Sequence, residues 1–111
     1  MPELTPQQIK TFEKLLAAGF RPVAIAPYEN ALCLQRGECA AVLTPVPNGG
    51  LQLLAPPSYL IEGNLSVRLK RGEREVFVWK KNEIEATPQR VSELAKFRQE
   101  LTDILERPST Q

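Results

Sequence analysis

The amino-acid sequence predicts an α+β domain: an N-terminal helix, an antiparallel meander sheet of five or six strands, and a C-terminal helix packed on that sheet. Two observations carry this reading. A capping signature followed by an apolar stripe at helical spacing stands at each end of the chain, and residues 20–81 between them are short β-rich runs separated by turn residues. Strands joined by such short loops are antiparallel neighbours. A partly closed barrel capped by the helices is the alternative arrangement.

The first helix is announced by Thr5, Pro6 and Gln8. Threonine caps, proline suits the first helical position, and glutamine three residues after the cap completes a capping box. Leu4 and Ile9 are spaced as a hydrophobic staple. Ile9, Phe12, Leu15 and Leu16 form the expected apolar stripe. Gly19 should end the helix in the left-handed region, folding Phe20 back towards Leu15.

Strands are expected at 21–26, 31–35, 38–44, 51–54, 63–70 and 74–81. Asn48-Gly49 and Arg36-Gly37 mark hairpin turns, and Pro56-Pro57 should block regular structure before Tyr59. The runs ALCLQ and ECAAVLT carry apolar or small residues at both parities, so both faces of these strands should be covered.

Residues 64–81, NLSVRLKRGEREVFVWKK, read as one hairpin with Gly72-Glu73 in a type II′ turn. Counting outwards pairs Leu69 with Val76, Val67 with Val78, Lys70 with Glu75, Arg68 with Phe77 and Ser66 with Trp79, with Lys81 near Asn64. This register separates an aliphatic face of Leu65, Val67, Leu69, Val76 and Val78, expected in the core, from a basic-aromatic face of Arg68, Lys70, Phe77, Trp79 and Lys81. The second face is either covered by a helix or binds something, and the helix cover is expected. Gly63-Asn64 should form a bulge or tight bend before the long strand.

The last helix starts at Thr87-Pro88 and runs to about Glu106, with Val91, Leu94, Phe97, Leu101, Ile104 and Leu105 as its stripe. The whole chain, 1–111, reads as one domain whose ends at 1–3 and 107–111 should fray.

Composition narrows the chemistry. An apolar fraction of 42% and a charged fraction of 24% are those of a soluble globular domain, and a formal charge of +1 gives no overall attraction to nucleic acid or anionic lipid. No apolar run is long enough to span a membrane and the amino terminus opens polar, so a cytoplasmic location is expected. The absence of histidine removes Ser-His and Cys-His nucleophiles and most transition-metal sites. The glycines match no phosphate-cradling motif. Cys33 and Cys39 would lie across a hairpin if Gln35-Arg36-Gly37 formed a three-residue loop. Two reduced, buried thiols are the expected state. Glu83 and Glu85 would point the same way from an extended segment, as paired acids can, and with Glu73 and Glu75 they are the residues a carboxylate-only metal site would need, though no spacing fixes its geometry. A solvated edge leading into the last helix is the expectation for them instead.

These features point to a non-catalytic binding or assembly domain with a protein partner or a second copy of itself, and with no catalytic residue, metal or cofactor. The candidate binding face is Arg68, Lys70, Phe77, Trp79 and Lys81, and the candidate self-association surface is Leu94, Phe97, Leu101, Ile104 and Leu105. The alternative is a single-stranded nucleic-acid binder that stacks bases on Phe77 and Trp79, with cations around them for phosphates. A carboxylate-based enzyme ranks third.

Overall fold

In a computed structural model, which describes residues 3–106, the chain forms α1 (Pro6–Ala17), a run of eight strands and α2 (Pro88–Glu106). The fraying expected at 1–2 and 107–111 lies outside the described residues. Strands β1 (Arg21–Pro22), β2 (Leu32–Arg36), β3 (Cys39–Pro45), β4 (Leu51–Ile61) and β5 (Asn64–Leu65) make a five-stranded antiparallel meander. Strands β6 (Val67–Arg71), β7 (Arg74–Trp79) and β8 (Asn82–Glu85) make a second sheet of three. The fold is therefore the α+β class expected, with an open rather than a closed sheet and with the strands shared between two sheets.

Helix α1 carries the full capping box: Gln8 N–H donates to Thr5 Oγ1 at 3.2 Å and Thr5 N–H donates to Gln8 Oε1 at 2.9 Å. It ends in a Schellman motif. Phe20 N–H donates to the Leu15 carbonyl and Gly19 N–H to that of Leu16, with Gly19 at φ 95°, which a side chain would resist. The buried face differs from the expected stripe. Gln8, Thr11 and Leu15 are buried, whereas Ile9 and Leu16 are 43% and 40% exposed. Hydrogen bonding accounts for the rotation, because Gln8 Nε2 donates to the carbonyls of Val46, Gly49 and Gly50 at 3.0–3.3 Å and closes the β3–β4 turn against the helix.

Two apolar clusters fill the two faces of the large sheet. The main one joins Leu15, Phe20, Leu34, Leu43, Tyr59 and Phe77 to Leu94, Phe97 and Leu101 of α2. The second holds Ile25, Cys33, Ala40 and Val42 under the segment that follows β1. Both faces of β2 and β3 are thus covered, as their apolar residues at both parities imply. The β2–β3 loop is Gly37-Glu38, with Arg36 opposite Cys39 and Cys33 opposite Val42. A two-residue loop replaces the three-residue one, so the cysteines are not cross-strand partners. They lie in different clusters on opposite faces, both free and both buried.

Pro56-Pro57 does not interrupt β4. The strand continues through it because the register against β3 slips there, with Val42 opposite Ala55 but Ala40 opposite Ser58. The extra residue is taken up by a bulge, where a missing ladder donor is tolerated. The expected strand at 63–70, by contrast, is broken at Ser66. Asn64 and Leu65 pair with Ile61 and Leu60 of β4, while Val67 begins the pairing with β7. Glu62-Gly63 is a hairpin turn, not a bulge.

Within the β6–β7 hairpin the register is as expected: Val67↔Val78, Arg68↔Phe77, Leu69↔Val76 and Lys70↔Glu75. Gly72 at φ 64° turns the chain. Its expected inside and outside are not preserved. Val67 and Leu69 are 57% and 41% exposed, Val78 is half-buried and only Val76 of the aliphatic face in this hairpin is fully buried. The break at Ser66 lets the small sheet turn its aromatic face inward onto β4 and α2, which leaves edge strand β6 outside. Trp79 pairs with Asn82 through a Lys80-Lys81 turn, so Lys81 is not beside Asn64.

Candidate functional site

Three elements converge where the two sheets part. The β4 bulge supplies Ala55, Pro56, Pro57 and Ser58, the crossover supplies Leu65, Ser66, Val67 and Arg68, and α2 supplies Val91, Leu94, Ala95 and Arg98. Trp79 of β7 and the segment 26–28 complete the walls of a cleft of about 620 Å³, within the range of small-ligand sites. Helix α2 presents Val91, Ala95 and Arg98 to it because spacings of four and three place them on one face. The helix itself is anchored by Thr87 Oγ1, which accepts from Arg90 N–H at 3.2 Å, and by Leu94, Phe97 and Leu101 in the main cluster.

The back of the cleft is committed. Ser66 Oγ donates to the Tyr59 carbonyl at 2.6 Å, which leaves Ser58 Oγ to donate to Ser66 Oγ at 2.9 Å. Both hydroxyl protons are used, and Pro56 and Pro57 have no N–H. The charged side chains that line the cleft are cationic, Arg68 and Arg98, and Tyr28 adds a neutral hydroxyl. Arg68 makes two 2.9 Å hydrogen bonds to Glu75, which hold the Glu75 carboxyl below its ordinary range and the guanidinium above its own. Arg98 is exposed and makes no ion pair among the described residues. Among the described residues no carboxylate lines the cleft.

The structure sorts the expected binding face. Arg68 and Trp79 meet at the cleft. Phe77 does not reach solvent: it is fully buried, its ring stacked on Tyr59 with centroids 4.9 Å apart. Lys70 lies near the Gly72 turn and Lys81 in the opposite turn, so they flank different ends of β7. Trp79 is half-buried against the main cluster with Lys80 Nζ 5.5 Å from its ring. Of the expected self-association residues, Leu94, Phe97 and Leu101 are 8%, 2% and 0% exposed within the chain's own core, and Ile104 and Leu105 pack partly against it. Arg98, Ala95 and the proline wall were not anticipated. The spacing of Val91, Ala95 and Arg98 was the signal that could have placed the first two.

The carboxylates do not converge. Glu75 points to the Phe77 face, whereas Glu83 and Glu85 sit opposite Val78 and Val76 on the other face of the small sheet, and Glu83 accepts from Arg71 at 3.2 Å. Among the described residues no group of three metal-ligating side chains is assembled. Burial pushes the Cys39 thiol up to about 11, with the nearby Glu93 and Glu38 charges adding to it, and burial also raises Cys33. Neither is an activated nucleophile. Among the described residues no helix is long and apolar enough to cross a membrane.

Comparison with protein-family models, curated proteins and solved structures finds no match to this chain.

Proposed function

We propose that this protein is a non-catalytic binding domain that takes its partner in the Trp79 cleft. The carrying observation is the cleft itself: apolar walls from two sheets and a helix, with Arg68 and Arg98 at its mouth and, among the described residues, no carboxylate in its lining. Concave apolar sites with a few placed polar groups are where proteins hold ligands. A reducing, cytoplasmic setting suits two free cysteines sealed in separate clusters. The form of assembly with most support is contact through β6, whose Val67 and Leu69 are exposed on an edge strand.

A fragment screen read by amide chemical shifts tests this. Hits should converge on Trp79, Ala95 and Arg98, and a screen whose shifts scatter over the surface would remove the reading. Light scattering of wild type against Val67→Glu decides assembly: a monomeric mass for both excludes the β6 contact.

Single-stranded nucleic acid is a second reading, favoured by Trp79 lying close to Arg68, Arg98 and Lys80. With Phe77 sealed, the hairpin itself offers one ring, Trp79, and the second ring lining the cleft is the half-buried Tyr28 of segment 26–28, where such sheets ordinarily use two or three on the strands themselves. Titration with a random oligonucleotide at two salt concentrations separates the readings. Salt-dependent micromolar binding lost in Trp79→Ala would favour this one.

A further inference from the structure

We propose that the occupant of the Trp79 cleft is an apolar chain carrying a single anionic head group, with Arg98 holding the head and the wall of Trp79, Leu94 and Pro57 holding the chain. This rests on the cleft being a binding site and names the chemistry it would take. Three observations select that chemistry. The serine hydroxyl protons at the back are used within the protein and the prolines offer no N–H, so a hydrogen-bond acceptor pushed against them would lose its water without gaining a donor there. A peptide backbone there would strand its own carbonyls for the same reason, whereas a hydrocarbon chain has nothing to satisfy. The charged side chains that line the cleft are two arginines, and they differ in availability. Arg68 has both of its contacting nitrogens on Glu75, while Arg98 makes no ion pair among the described residues. Guanidinium forks match carboxylate and phosphate geometry.

Arg98 lies seven helical steps beyond Val91, or roughly 10 Å along the axis, so a chain lying along α2 reaches the head-group position from within the cleft.

The test is titration of the protein with decanoate, decyl phosphate, decanol and decyltrimethylammonium, each below its micelle concentration, followed by Trp79 fluorescence and calorimetry. One molecule of decanoate or decyl phosphate should bind, and whichever binds tighter identifies a fatty carboxylate or a phosphorylated lipid as the natural source. Arg98→Met should weaken either anion by about ten-fold or more and leave decanol unchanged, as expected for one charge-assisted hydrogen-bonded contact. Ala95→Trp, a change at an exposed helix position, should abolish binding of both the anions and the alcohol by filling the cleft. Equal affinities for decanol and decanoate, with no effect of Arg98→Met, would overturn the anionic head while leaving the cleft a binding site. Preference for decyltrimethylammonium would overturn it likewise. Absence of any response, with Ala95→Trp indistinguishable from wild type, would overturn the binding reading as well.

Discussion

Tyr59 and Phe77 stack with ring centroids 4.9 Å apart and planes 28° from parallel, and this contact joins the large sheet to the small one. Both side chains are almost wholly buried. Phe77→Ala should therefore cost about 3–5 kcal/mol, measured by chemical denaturation, because it opens a void between the sheets and α2. Val67→Ala, opposite Val78 on the exposed edge strand, should stay within about 0.5 kcal/mol. Comparable losses for the two variants would show that the small sheet faces the other way.

Gln8 serves both its own helix and a distant turn, so its replacements should be informative. Gln8→Leu leaves the Val46, Gly49 and Gly50 carbonyls without their donor and should cost about 1–3 kcal/mol. Gln8→Glu should be worse at neutral pH, where a carboxylate faces carbonyl oxygens. Its folded pKa is expected to be raised above the unfolded value of about 4.3. Stability of that variant is then fullest below that value and falls as pH rises through the folded pKa. A Gln8→Glu protein as stable at pH 7 as at pH 4 would contradict the assigned bonds.

Arg36 lies over the Phe20 ring at 4.3 Å, donates to the Ala18 carbonyl at 3.2 Å and pairs with Glu100 of α2. These roles separate by mutation. Glu100→Gln removes a half-exposed ion pair and should cost under about 1 kcal/mol, falling further in salt. Arg36→Ala also removes the ring contact and the helix C-terminal bond, and should cost about 1–3 kcal/mol with little salt dependence. Equal costs for both would mean that the ion pair alone mattered.

The thiols and Tyr59 set an alkaline limit on stability. Burial raises Cys33 and Cys39, the latter to about 11, and holds Tyr59 protonated above the ordinary tyrosine range, reinforced by its 2.8 Å bond to Glu93. In the unfolded chain these groups release protons near about 8.5 and 10. Above those values the unfolded state binds fewer protons than the folded one, so stability should fall as pH rises from about 8.5, and full stability is kept below it. Replacing both cysteines with alanine should remove the earlier part of the decline. Rapid labelling of both thiols at pH 8 in the native protein would contradict the burial on which this depends.

Local chemistry was legible in the sequence wherever neighbours in the chain decide the outcome. Thr5-Pro6-x-Gln8 and Thr87-Pro88 start the helices, Gly19 ends the first, Gly72 fixes the β6–β7 register, and the stripe of α2 is the stripe it buries, because caps, turns and helical spacing act within a few residues. Tertiary contacts decided the rest. Gln8 outcompeted Ile9 and Leu16 for the buried face of α1 because three carbonyls from residues 46–50 needed a donor. Pro56-Pro57 stayed in a strand because a bulge against β3 absorbed the missing hydrogen bonds. Ser66 broke one expected strand in two by binding the Tyr59 carbonyl, and that break chose which face of the 64–81 segment became core. Alternation along a strand defines two faces but not which is inside, since that depends on where the partner layer lies. The cleft follows from the same break: Trp79, Arg98 and Pro57 are far apart in the chain, and only the parting of the two sheets beneath α2 brings them together.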